Sequence, residues 1–132
     1  MQGAFAELEY RNRLRRARDA LAQHQLDGAL CVAPEHLNYF AGYDAHTHFD
    51  EQALLFSTDS DEPTLIVRDG DIGTARMLSW VGDQRGYSLE DGGATPLVAA
   101  VVKEKGLLGG RLGLEYKCYA LNVGYSVALT AA

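Results

Sequence analysis

Residues 28–43 read G-A-L-C-V-A-P-E-H-L-N-Y-F-A-G-Y, and the change of pattern inside this stretch decides the fold class. Gly28 to Ala33 is a short, continuously apolar run ended by a proline, the signature of a buried strand rather than a half-exposed one. Pro34-Glu35 then opens a short helical segment through Leu37, Tyr39 and Phe40, which Gly42 closes. Upstream, Leu8, Leu14, Ala17, Leu21 and Ala22 recur at threes and fours, with no Gly or Pro after Gly3, so an amphipathic helix is expected from about Phe5 to Gln25. Leu26-Asp27-Gly28 marks its stop, with Gly28 expected to take the positive φ of the chain reversal. A long helix feeding a buried strand points to α/β architecture.

Downstream, Gln52 to Ser57 resumes a strand. Thr58-Asp59-Ser60-Asp61-Glu62-Pro63 is a turn by composition, and with A-L-L-F before it and T-L-I-V after it the segment reads as a β-hairpin. Asp69 and Asp71 are placed to cap a helix from about Ile72 to Trp80. A short strand over Gln84–Tyr87 and a turn at Asp91-Gly92-Gly93 follow. Thr95 as cap and Pro96 at the first position open another amphipathic helix, which runs to Lys105 with its basic residues at the C-terminal end. Gly106 to Gly113 is a glycine-rich turn into the last strand, L-G-L-E-Y. Its glycines match neither phosphate-binding pattern, G-x-x-x-x-G-K-[ST] or G-x-G-x-x-G. From Ala120 to Ala132 the pattern is again helical and ends without a C-cap signal, which suggests a truncated chain.

At 132 residues the chain fits one domain able to bury its own core, and 47% apolar with 23% charged residues is ordinary globular composition. A net charge of −6 argues against nucleic acid as a main partner. The local exception, Arg11, Arg13, Arg15, Arg16 and Arg18, is interleaved with Glu7, Glu9 and Asp19 and reads as a solvated helix surface. Cys31 and Cys118 lack metal-type spacing, so a reducing, cytoplasmic setting is expected, with Cys31 a small buried thiol. No signal peptide and no membrane-length apolar run is evident.

Polar chemistry concentrates between Pro34 and Phe56, which hold three of the four histidines and five of the eleven Phe and Tyr residues. Three readings compete for D-A-H-T-H-F-D-E, residues 44–51. His46-x-His48 places two imidazoles on one side of an extended segment, with Asp44 or Asp50 able to add oxygen ligands, as in a zinc hydrolase. That reading lacks inventory, because no histidine follows His48. Nucleophilic catalysis finds no G-x-S-x-G context around Ser57, Ser60, Ser79, Ser88 or Ser126, and neither cysteine stands in a catalytic setting. Recognition is the third: Tyr43, His46, His48 and Phe49 offer aromatic faces and donors that titrate near neutrality, suited to a small polar ligand or a partner subunit. Tyr39 and Phe40, at helical positions behind the loop, pack the helix onto the sheet.

The order of phrases resembles a known family. The Arg-rich helix ending in L-D-G, then A-L-C-V, P-E-H-L-N-Y-F-A-G-Y, a polar loop, a hairpin and G-R-L-G-L-E-Y is similar to the N-terminal domain of the creatinase, Xaa-Pro peptidase (prolidase) and ectoine hydrolase family. Asn38, Tyr39, Gly42 and Tyr43, with Gly110, Arg111, Gly113 and Glu115, stand at the positions of its phrases. The resemblance implies a mixed sheet flanked by helices with ribonuclease H-like topology, residues 1–132 forming one domain without catalytic residues or metal ligands. It further implies a pita-bread catalytic domain downstream, carrying two divalent metal ions or, in creatinase-like members, none. It implies a homodimer in which the loop after Gly42-Tyr43 reaches the neighbouring active site, so that Tyr43, His46, His48 and Phe49 contact substrate or subunit. The expected parent is a cytoplasmic hydrolase of amide or other C–N bonds acting on an Xaa-Pro dipeptide or a small cyclic or guanidino substrate. The competing expectations are a stand-alone binding or dimerisation module and a zinc hydrolase built on His46 and His48.

Overall fold

The computed structural model of the chain describes residues 3–44 and 50–132. Its elements in order are α1 (Glu7–Gln23), β1 (Gly28–Cys31), α2 (Pro34–Ala41), β2 (Ala53–Ser57), β3 (Thr64–Arg68), a 3-10 turn (Asp69–Asp71), α3 (Ile72–Leu78), β4 (Asp83–Tyr87), α4 (Ala94–Glu104), β5 (Leu112–Leu114) and α5 (Val123–Ala131). The strands form one mixed sheet in the order β4-β3-β2-β1-β5. β2 is antiparallel to β1 and β3, in the expected hairpin, while β4 runs parallel to β3 and β5 parallel to β1. Among the described residues no helix is long and apolar enough to cross a membrane.

The central strands are buried on both faces because alternate side chains serve two separate cores. Ala29, Cys31, Leu54, Phe56, Leu65 and Val67 point to the face covered by α1, α2 and α3. Leu30, Ala53, Leu55 and Ile66 point to the face covered by α4 and α5. This two-sided burial is why the strands read as continuous apolar runs without alternation. On α1 the inward stripe is Tyr10, Leu14, Ala17 and Leu21, whereas Leu8, which fits the helical period equally well, is 69% exposed.

Several local expectations change. The residue with positive φ after α1 is Gln25 (φ 59°). Its N–H donates to Ala22 O and that of Leu26 to Leu21 O, so the helix closes in a Schellman turn three positions before Gly28. Gly28 lies instead within β1, where a Cβ would stand 2.6 Å from the Phe56 carbonyl oxygen. Asp71 makes no side-chain cap to α3, whose entry is the 3-10 turn. α4 begins at Ala94, ahead of Thr95, with Gly93 at its cap position and no side-chain cap from it. α5 has a start signal that composition hid: the Asn122 side chain accepts from Tyr125 N at 2.9 Å.

Of the basic residues on α1, Arg15 and Arg16 are exposed. Arg11 pairs with Glu7 and Glu62, and Arg18 donates to the carbonyls of Ser57 and Thr58, tying α1 to the hairpin turn.

Candidate functional site at the carboxyl end of the sheet

Because β1, β3, β4 and β5 share one direction, their carboxyl ends and the start of β2 gather at one edge of the molecule. In open α/β sheets this is the edge where ligands are held. The segment through α2 to Asp44 and the approach to β2 at residues 50–52 are held by side chains from five other elements or their flanks.

On the entry side, α2 has 8 residues, below the roughly 12–15 that an isolated helix needs to persist in water. Its orphan groups are met at both ends by other parts of the chain. At the start, one oxygen of Glu115 accepts from Val32 N and Ala33 N, both at 2.8 Å, while the other meets Nδ1 of His36. A carboxylate there also faces the positive end of the helix. At the finish, Arg13 donates to Tyr39 O at 3.0 Å, the Trp80 indole to Phe40 O at 2.9 Å and the Ser79 hydroxyl to Ala41 O at 2.6 Å. Gly42 (φ 69°) then turns the chain. Each bond contributes about 0.5–1.5 kcal/mol net, so losing one loosens α2 without unfolding the domain.

On the exit side, Asp50 pairs with Arg68 at 3.2 Å, and Tyr87 Oη donates to Glu51 O at 2.7 Å. The Glu51 carboxylate accepts from Ala94 N, supplying from outside the helix the cap that α4 lacks; burial pushes its acidity down and that bond partly restores it. Asp50, Glu51, Gln52, Tyr119 and Asn122 line a polar cleft of about 40 Å³ beside this approach. An apolar groove of about 230 Å³, walled by Leu30, Val98, Val102, Leu112, Leu114 and Leu129, runs along α4, β5 and α5.

Of the residues singled out from sequence, Tyr43 is placed inside the first core at 1% exposure. Burial, then the nearby Asp71 and Asp50, pushes its hydroxyl up to about 12. It anchors the start of the loop. His46, His48 and Phe49 lie outside the described residues. Among the described residues no three His, Cys, Asp or Glu side chains come together as a metal site. Tyr39 is 44% exposed, stacked under the Arg13 guanidinium at 4.5 Å and edge-on to Phe40, which packs against Phe56. Both cysteines are free thiols; burial, with Glu115 adding, pushes the Cys31 thiol up and leaves it un-ionised. The hydroxyls of Ser57 and Ser79 donate to Asp59 and to a backbone carbonyl. Among the described residues the edge therefore offers hydrogen-bonding and aromatic surface, with the Cys31 thiol beside Glu115 buried and held un-ionised.

The profile of the Creatinase/Prolidase N-terminal domain matches residues 13–129. The chain belongs to that family. The creatinase/prolidase fold is repeated in solved structures at identities that speak for the fold alone. The N-terminal domain of an Xaa-Pro dipeptidase from Lactobacillus brevis superposes with a TM-score of 0.77 at 19% identity, over 90% of this chain and 86% of that one. A dipeptidase from Pyrococcus horikoshii OT3 gives 0.73 at 16% identity, over 90% of this chain but 31% of that one. The Sinorhizobium fredii protein described as uncharacterized hydrolase/peptidase y4tM is 32% identical over 81 residues, 61% of this chain and 21% of its own length. The chain thus spans about a fifth of that relative. The mixed sheet flanked by helices expected from sequence is the family's fold.

Sequence reasoning did not assign Glu115, Glu51, Trp80 or the Asp50–Arg68 pair to this edge. Their partners lie up to 83 residues away, and no local pattern links a carboxylate at the end of one strand to the amides of another. A carboxylate closing the apolar run L-G-L was the one available hint.

Proposed function

We propose that this chain is the non-catalytic N-terminal domain of a cytoplasmic Xaa-Pro peptidase-like or creatinase-like hydrolase. It supplies subunit contacts in a homodimer and one wall of the substrate site, while a separate pita-bread body performs the cleavage. The observation that supports this reading is the bracing of two described segments at the carboxyl edge, α2 by Glu115, Arg13, Ser79 and Trp80 and the approach to β2 by Arg68 and Tyr87, as fits a rigid scaffold behind a recognition surface. His46, His48 and Phe49 are the contacting groups, and Tyr43 is their anchor. Any divalent ions belong to the catalytic body, where they would polarise the scissile carbonyl and activate water; this domain excludes solvent from one side.

The test uses the protein carrying its catalytic body, assayed on an Ala-Pro dipeptide. Replacing residues 45–49 by Gly and Ser is expected to raise KM by about tenfold or more, the effect of lost binding contacts, with a smaller change in kcat. Residues 1–132 alone are expected to show no turnover. Hydrolysis by the isolated chain, or an unaltered KM in the loop replacement, would refute the reading. The apolar groove, with Val123 and Val127 exposed on α5 at 81% and 62%, favours a second reading, a binding or dimerisation module acting without a catalytic body. It predicts association of the isolated chain that loop replacement leaves unchanged.

A further inference from the structure

We infer that the apolar groove along α4, β5 and α5 is a docking surface for an acidic amphipathic protein segment, aliphatic on the side it buries and carrying carboxylates along its flanks. Neither reading above uses the charge around this groove. Its walls are aliphatic, and α5, V-G-Y-S-V-A-L-T-A, has no charged residue on any face. Val123 and Val127, one turn apart, are exposed on it, and Leu108 and Tyr116 of the groove are exposed as well. A helix without a charged face is ordinarily covered all round, and continuous apolar surface of this kind marks a contact site.

The chemistry of the rim selects the partner. Lys103 stands one helical turn after Ala99 of the groove, Arg111 immediately precedes Leu112 on the edge strand, and Lys117 immediately follows Tyr116. All three are exposed, and among the described residues none forms an ion pair. The carboxylates around them are committed elsewhere: Glu104 to Arg85 at 2.7 Å, Glu115 to the Val32 and Ala33 amides and His36, and Asp27 to the Arg111 amide at 2.8 Å. A chain of net charge −6 thus sets cations beside an aliphatic groove, and their hydrocarbon stems can extend its walls while the charged heads stay in water. A second copy related by a twofold axis would bring this face against itself, basic rim on basic rim. A segment with flanking carboxylates gains both the apolar burial and the charge pairing.

The test titrates the isotopically labelled chain, followed by amide NMR, with three probes: a designed helical peptide with Leu at i, i+3, i+4 and i+7 and Glu elsewhere, its Lys-for-Glu counterpart, and decanoate. The Glu peptide is expected to shift the amides of Val98, Val102, Leu112, Leu114 and Leu129. It should bind about tenfold or more tightly than the Lys peptide, and lose a similar factor between low and high salt. The double variant Lys103→Glu, Arg111→Glu, at exposed positions, is expected to invert the preference with the urea midpoint kept. Arg15→Glu with Arg16→Glu, exposed on α1 across the sheet, changes the net charge equally and is expected to leave the preference in place. No binding by either peptide, equal binding of the two, an unaltered preference in the rim variant, or the same inversion in the α1 variant would overturn the inference. So would groove shifts that follow the concentration of the chain alone, which assign the face to a second copy, or saturable decanoate binding with neither peptide bound, which assigns it to a free amphiphile.

Discussion

Replacing Gly28 by alanine sets two backbone effects against each other, and the geometry decides between them. Glycine in a strand carries an entropic cost, so Gly→Ala at a compatible site stabilises a protein by about 0.4–1 kcal/mol. At Gly28 the φ is not in the left-handed region, and that gain is available in principle. The new Cβ, however, would sit 2.6 Å from the Phe56 carbonyl oxygen, 3.2 Å from a Leu112 methyl and 3.3 Å from the Ser57 Cα. Ordinary contact begins at 3.4 Å, so β1 must move from β2 by several tenths of an ångström or more. Neither backbone neighbour can yield by changing rotamer, and β1 is hydrogen-bonded on both sides, to Ser57 of β2 and Leu112 of β5. Such overpacking costs about 1–3 kcal/mol, and a clash against backbone belongs at the upper end. The clash wins by about 1–2 kcal/mol, which lowers the melting temperature by roughly 3–8 °C in a domain of this size. Urea and thermal unfolding followed by circular dichroism read the difference. Gly73→Ala in α3, where a Cβ meets nothing within 4 Å, is the matched control and is expected to stabilise by about 0.5–1 kcal/mol. A Gly28→Ala protein as stable as the parent would refute the close-approach account of this glycine.

Two hydroxyls on the α4/α5 face are expected to respond oppositely to deletion. Tyr87→Phe removes the donor to Glu51 O and should cost about 1 kcal/mol, whereas the buried Tyr125 hydroxyl finds no partner among the described residues, so Tyr125→Phe should be neutral or stabilising by urea midpoint. The reverse order would show that Tyr125 is the bonded one. Stability is also expected to have an alkaline limit. Burial raises Tyr43 from 10.0 to about 12, and burial raises Tyr87, Tyr125 and the Cys31 thiol as well. Each is favoured in its neutral form by the fold, so the contribution is whole below the unfolded value and is lost as pH rises above 9.0 for Cys31 and above 10.0 for the tyrosines toward the folded values. Urea midpoints that stay flat across that window would contradict the burial of these groups.

The amino-acid sequence by itself determined the layered α/β class. The two-sided apolar runs 28–33, 53–57 and 64–67, the helical period of α1 and the turn chemistry of 58–63 are local properties, and each forces a neighbouring cover. It also marked residues 44–51 as the polar centre, because chemistry-bearing side chains cluster there in the linear chain. It misassigned Gly28, since a glycine demanded by a passing carbonyl looks the same in one dimension as a glycine demanded by a turn; the turn fell to Gln25. It could not show that Tyr43 faces inward, for one residue past a left-handed glycine the direction of a side chain is set by the packing of α2. Only the tertiary structure decided that Glu115, Trp80 and Arg68 brace two segments at one edge. Those bonds join groups brought together by strand order, and strand order arises from the burial of both sheet faces at once, which no single segment encodes.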